Sequence, residues 1–177
     1  GNVNYWTGNQ TTLFENEFSK YFGISYSIAT SNGTSALTLA YMALDLKKDD
    51  EVITTPRTFI ATTSAFVLLG AKPIFADVDI DSGAITAETI EPLINDKTKA
   101  ISVVHLGGWP AEIEKIVKIS KKYNIPLIED CSQAHGAKIN NSFVGNFGDI
   151  ATWSFCQDKI ISTGGEGGLV ATNRKDL

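Results

Sequence analysis

Apolar and polar positions along the chain follow two alternating rhythms. Compact apolar runs of strand length occupy residues 26–30, 51–55, 73–77, 100–105, 126–130, 150–155 and 169–172. Between them the apolar spacing turns helical. Phe14, Phe18, Tyr21 and Phe22 lead up to Gly23, and further helices are predicted over 36–44, 58–69 and 86–94, the last weakened by Pro92. Ile113, Ile116, Val117 and Ser120 then share one face of a helix whose Lys115, Lys118, Lys121 and Lys122 form a solvated side. Thr12-Leu-Phe-Glu15 has capping-box spacing and predicts the start of the first helix. Residues 1–10, with Tyr5 and Trp6 before Gly8, read as an extended arm, and 134–139 as a short helix or turn. Strands alternating with helices predict a three-layer α/β/α fold. Its sheet has seven strands, mostly parallel with the last antiparallel, and the whole of 1–177 forms one domain without repeat or linker.

Composition narrows the class without naming a function. The 177 residues are enough to bury a real core, and 43% hydrophobic with 20% charged residues is a globular balance. A formal net charge of −5 gives no reason to expect nucleic acid or an anionic membrane as partner. No apolar stretch approaches a bilayer span and no signal-peptide pattern opens the chain, so a cytoplasmic protein is expected. Cys131 and Cys156 lack metal-ligand spacing and read as reduced thiols. The chain opens on Gly1 and stops at Leu177 after a polar turn, which predicts a piece of something longer.

The chemistry gathers where strands end. In open α/β sheets, ligands bind outside the carboxyl ends of the strands. Ser31-Asn-Gly-Thr-Ser35 joins a strand to a helix, where Gly33 permits a tight turn and Thr34 and Ser35 add hydroxyls to free helix-start N–H groups. As a plain N-cap the loop would serve equally well. Asp130 closes an apolar strand, either as a cap or as the partner of a buried cation. A hydrogen bond to a charged group is worth roughly 1.5–3 kcal/mol, enough to keep a pyridine nitrogen protonated near neutral pH. Gln133 reaches the same region with a donor and an acceptor. Phe59 opens a helix at a strand end, where its ring can lie over a flat ligand. Ser154 precedes Lys159 by five residues, and Lys159 stands between an apolar strand and a loop of four glycines with Glu166. A lysine amine is a nucleophile toward carbonyl compounds, pyridoxal phosphate among them. A phosphate cradle, a stacking ring, a carboxylate and an amine are what that cofactor requires.

Five stretches resemble the DegT/StrS-type sugar aminotransferases of the aspartate-aminotransferase fold group. They are Ser31-Asn-Gly-Thr-Ser-Ala-Leu37, Asp50-Glu-Val-Ile-Thr-Thr-Pro-Arg-Thr-Phe59, Gly70-Ala-Lys-Pro-Ile-Phe-Ala-Asp-Val-Asp79, Ile128-Glu-Asp-Cys-Ser-Gln-Ala-His-Gly136 and 148–168. The resemblance implies that Lys159 binds pyridoxal 5'-phosphate as a Schiff base, that Asp130 faces the pyridine nitrogen and that Phe59 stacks on the ring. It places Gln133 beside the ring hydroxyl and Thr34, Ser35 and Ser154 at the phosphate. Two positions depart from the commonest pattern: Glu166 stands one residue further from Lys159, and Gly107-Gly108-Trp109 replaces a loop in which a tyrosine is usual. A related dehydratase branch carries His where Lys159 stands, so Lys159 points away from it.

The implied reaction moves an amino group, from glutamate, to a nucleotide-linked keto-sugar, for surface polysaccharide, lipopolysaccharide, glycan or antibiotic-sugar synthesis. The resemblance further implies a homodimer with its site at the subunit interface and a second, smaller domain, so residues 1–177 alone are expected not to catalyse. The rival reading is a non-catalytic pyridoxal-phosphate- or sugar-binding regulatory module. A nucleotide-binding flavodoxin-like domain explains the alternation but not Lys159 with Asp130.

Overall fold

The computed structural model describes residues 8–177, so most of the arm expected over 1–10 lies outside the described residues. Seven strands form one sheet: β1 (Tyr26–Thr30), β2 (Glu51–Thr54), β3 (Lys72–Phe75), β4 (Thr98–Val104), β5 (Leu127–Asp130), β8 (Ile150–Ser154) and β9 (Gly168–Thr172), in the order β1-β9-β8-β5-β4-β2-β3. The short strands β6 (Lys138–Ile139) and β7 (Ser142–Phe143) pair as a separate hairpin. β2, β3, β4, β5 and β8 pair in parallel, and β9 alone runs against both neighbours, β8 and β1. The carboxyl ends of β1, β2, β4, β5 and β8 therefore share one edge of the sheet.

Five helices cover the two faces: α1 (Gln10–Phe22), α2 (Gly33–Ala43), α3 (Ala61–Val67), α4 (Ala87–Ile90) and α5 (Ile113–Tyr123). Alternation along each strand assigns the layers. Ile128, Ile150 and Val170 pack with Ala36, Leu37, Tyr41 and Phe66 of α2 and α3. On the other face, Ile101, Val103 and Leu127 meet Ile113 and Ile116 of α5, while Ala151, Trp153 and Leu169 meet Phe18 and Phe22 of α1. The predicted three-layer fold and the antiparallel last strand are what the structure shows.

Local boundaries differ from the expected ones in several places, four of which have a clear physical reason. α1 begins at Gln10, so Thr12 and Glu15 lie inside it rather than forming its capping box. Glu15 Oε1 instead accepts the Ala29 N–H at 2.8 Å, satisfying a donor on the edge strand β1. α2 starts at Gly33, because Asn32 accepts the Ser35 N–H through its side chain. The helix expected over 86–94 stops at Ile90, and Pro92 falls in a tighter 3₁₀ turn, Glu91–Leu93. The segment 134–139 ends in the β6–β7 hairpin, whose two linking residues, Asn140 and Asn141, both take positive φ. Such turns match the twist of hairpin strands, and Asn tolerates them.

Candidate functional site

The loops at the shared strand edge enclose a cleft of about 490 Å³. Gly33, Thr34, Phe59, Asp130, Gln133, Ser154 and Lys159 all line it, so seven of the eight residues singled out from sequence meet there although they span 33 to 159. Ser35 is the exception. Its N–H is taken by Asn32 Oδ1 at 2.8 Å and its hydroxyl lies 3.1 Å from that of Ser31, so it serves the cap and stands outside the lining.

At Gly33 two elements approach closely. A Cβ there would come 2.6 Å from Ser154 Cβ, because the first turn of α2 rests directly on the end of β8. The missing side chain lets helix-start N–H groups and the Ser154 hydroxyl share one corner of the cleft, a natural seat for an anion.

Asp130 forms the floor. It is 4% exposed, and its oxygens accept two hydrogen bonds: Thr62 Oγ1 donates to Oδ2 at 2.8 Å and the Ser132 N–H to Oδ1 at 3.1 Å. The second bond is the local capping turn weighed in the sequence. No cationic side chain among the described residues pairs with it. Thr62 was not foreseen. It lies in the first turn of α3, with its hydroxyl 2.9 Å from Thr58 Oγ1, and the two threonines at i, i+4 in an apolar helix were the available signal. Tyr41 Oη lies 3.1 Å from the Thr62 carbonyl and 2.8 Å from Ser102 Oγ, and burial pushes its phenol far above the ordinary range. Tyr41 is thus a neutral brace under the helix that presents Thr62 to Asp130.

Phe59 precedes α3 rather than starting it, since the helix begins at Ala61; its carbonyl accepts the Thr62 N–H at 3.2 Å and its ring is 65% exposed at the rim. Gln133 is half-buried, and its Oε1 accepts the Gly107 N–H at 2.8 Å. Lys159 is half-buried after the turn that follows β8, with its N–H donated to the Cys156 carbonyl at 3.0 Å. Cys156, Asp158 and Glu166 line the cleft around it. Asp158 and Glu166 bring the carboxylates to three, against one lysine. Pyridoxal phosphate fits this donor set: an amine for its carbonyl, a lone buried carboxylate for its ring nitrogen, and a corner of backbone donors and hydroxyl for its phosphate.

Comparison with known proteins points the same way. GDP-perosamine synthase of Escherichia coli O157:H7 is 46% identical over 170 residues, which is 96% of this chain and 46% of that protein. The chain thus spans about half the length of the curated relatives it matches. An aminotransferase structure from Psychrobacter cryohalolentis superposes with a TM-score of 0.95 at 52% identity, covering 98% of this chain and 44% of that one. NtdA from Bacillus subtilis, solved with bound cofactor PMP, superposes at 0.91 with 34% identity, covering 96% of this chain and 38% of its own. Residues 2–177 match the family model of the DegT/DnrJ/EryC1/StrS aminotransferases, and the chain belongs to that family.

Proposed function

We propose that this chain is the cofactor-binding domain of a pyridoxal-phosphate-dependent aminotransferase that moves an amino group from glutamate to a nucleotide-linked keto-sugar. The observation that carries the reading is Asp130: a carboxylate buried without a cationic partner, on the floor of a cleft that also holds Lys159. A buried charge left unpaired is costly, so the site is built to receive a cation. The protonated ring nitrogen of pyridoxal phosphate is one. Relatives named as nucleotide-sugar aminotransferases, and the neighbour solved with PMP, support the same choice.

When bound, pyridoxal phosphate supplies the electron sink that makes the Cα proton of an amino donor removable. The chain's residues do the rest. Lys159 Nζ would hold the cofactor's aldehyde and, once freed by the donor amine, would move the proton at the donor's Cα. Asp130 holds the proton on the ring nitrogen, with Thr62 and the Ser132 N–H orienting its oxygens. Phe59 covers one face of the ring and excludes water from it. Gly33, Thr34 and Ser154 would hold the phosphate, and Gln133 would meet the ring hydroxyl. With three carboxylates and one lysine in the cleft, the cations that bind the diphosphate of a sugar nucleotide come from a second, smaller domain and from the partner in a homodimer. No helix among the described residues is long and apolar enough to cross a membrane, in keeping with a cytoplasmic enzyme of polysaccharide or glycan synthesis.

Borohydride reduction of the cofactor-loaded full-length protein, followed by peptide mapping, is expected to fix the cofactor on Lys159. An adduct on Lys138 or Lys72 would overturn the assignment. A half-reaction with glutamate separates the enzyme from a regulatory binding module: the module would take up the cofactor and leave glutamate unconverted.

A further inference from the structure

Behind the cleft lies a second set of titratable side chains that the proposed chemistry does not use. His105, Glu129 and Cys131 are fully buried, and one ligand atom from each falls within 4.8 Å of the others, the spacing of a metal site. Their hydrogen bonds assign them a different task. Glu129 Oε1 accepts the N–H groups of Phe147 at 2.8 Å and Gly148 at 2.6 Å, and Oε2 accepts the Gly145 N–H at 2.8 Å. His105 Nε2 lies 3.0 Å from the same Oε2. On the other side of the ring, the Ala111 N–H donates to Nδ1 at 3.1 Å. Nδ1 therefore carries no proton, and the ring's proton sits on Nε2, where it meets Glu129. Burial pushes the Cys131 thiol well above its ordinary range.

The consequence lies in the loop between His105 and Ala111. Its first residue is held by the sheet, since the His105 N–H donates to the Asp130 carbonyl at 3.1 Å. Its last is held by the His105 ring itself. Closed at both ends, the loop turns through Gly107 and Gly108, both at positive φ, and aims the Gly107 N–H at Gln133 Oε1. A Cβ on Gly108 would stand 3.3 Å from the Gln133 carbonyl, so the second glycine lets the two loops touch. With Oε1 turned to the Gly107 N–H, the other end of the Gln133 amide is its NH₂ group, which offers donors only.

We propose that His105 and Glu129 are positioning residues: Glu129 fixes the His105 tautomer, His105 closes the 105–111 loop, and the Gly107 N–H then holds Gln133 so that it presents only N–H donors to the cleft. The ligand atom this selects is an electron-rich oxygen, such as the ring oxygen of the cofactor. The inference rests on the proposed function for the identity of that oxygen, but not for the clamp.

Two substitutions on the full-length protein separate the halves of the device. His105→Asn keeps an acceptor near Nδ1 for the Ala111 N–H, and His105→Gln keeps a donor near Nε2 for Glu129. Hydrogen exchange over 106–111 is expected to quicken in His105→Gln by roughly two- to tenfold, the value of one hydrogen bond, and to stay near wild type in His105→Asn. Pyridoxal phosphate affinity, titrated by absorbance, is expected to follow the same order even if both variants melt lower. Gln133→Glu keeps the acceptor for Gly107 but sets a carboxylate oxygen where the NH₂ group stood, and is expected to lose affinity without quickening exchange. Equal exchange in the two His105 variants would overturn the clamp, and undiminished affinity in Gln133→Glu would overturn the donor role. Failure of the wild-type protein to take up the cofactor would remove the proposed function and with it the assigned oxygen, while exchange over 106–111 would still decide the clamp.

Discussion

Glu129 and Asp130 are neighbours on β5, and their side chains leave the strand on opposite faces. Both are buried carboxylates, yet their surroundings differ. An ionised carboxylate offers about four lone-pair sites. Glu129 fills them with three backbone N–H groups and the His105 ring. Asp130 receives two donors and no countercharge from the described residues. A saturated carboxylate holds the fold together, whereas a half-saturated one keeps capacity for a ligand. On this contrast, the proposed binding role falls to the face of the sheet beneath α2 and α3, and the proposed bracing role to the opposite face.

The largest test of that contrast is Glu129→Gln. The amide matches the carboxylate in shape but turns an NH₂ group toward backbone donors, leaving buried N–H groups unpaired. Breaking a buried charge network of this kind costs about 3–5 kcal/mol. Denaturant unfolding of the full-length protein is expected to show a loss of that order. A loss below that of an ordinary surface substitution, about 0.5 kcal/mol, would mean that Glu129 is not the brace.

Asp130→Asn is the mirror experiment. Stability should hold or rise, since an uncompensated charge leaves the interior. Turnover should fall roughly 10- to 150-fold, the value of one charge-assisted hydrogen bond to the ring nitrogen. If the two substitutions exchanged effects, with Asn at 130 unfolding the protein and Gln at 129 slowing it, the two faces would have to exchange roles. Gly33→Ala comes next. Its new methyl would press on Ser154, and relieving that contact moves the first turn of α2 off β8. Overpacking of this sort costs about 1–3 kcal/mol, and cofactor affinity should drop with it. Unchanged affinity would show that the α2 corner does not hold the phosphate.

What the chain disclosed in advance, and what it withheld, follows a different division. The lining of the cleft was legible because strand ends recur at intervals and Asp130, Ser154 and Lys159 each sit at or just after one. Local signals of this kind survive in a single sequence. The long-range pairings on both faces were not legible. His105 and Glu129 are 24 residues apart, and Thr62 and Asp130 are 68 apart, so nothing in either neighbourhood announces the pair. The β6–β7 hairpin was missed for another reason: strands of two residues are too short to show a period, and the signal was Asn140-Asn141 alone. Glu15 misled for a third, since a residue spaced for a local cap was used for a distant edge strand. Ser35 differs from its neighbours in the motif: its N–H is taken by the Asn32 cap and it stands outside the cleft lining.

The smallest predicted effect concerns a third way of burying an ionisable group. His135 is one of two histidines in the chain and lies buried beside Phe155, with ring centroids 5.4 Å apart. It neither fills its hydrogen-bonding capacity, as Glu129 does, nor waits for a cation, as Asp130 does. It gives up its own charge: burial, helped by the nearby Lys159 ammonium, holds the imidazole below its ordinary value of 6.5. The unfolded chain regains that ordinary value. In the window below about 6.5, down to the lowered folded value, the unfolded state therefore binds a proton that the folded state does not. The stability His135 contributes is complete above that window and is lost as pH falls through it. The slope for one proton is at most about 1.4 kcal/mol per pH unit. His135→Phe keeps an aromatic ring against Phe155 and removes the proton, so stability measured between about pH 5 and 7 should decline less steeply in the variant than in the wild-type protein. Parallel slopes would show that His135 titrates alike in both states, and that only the two carboxylates, not three groups, divide the labour of burial in this fold.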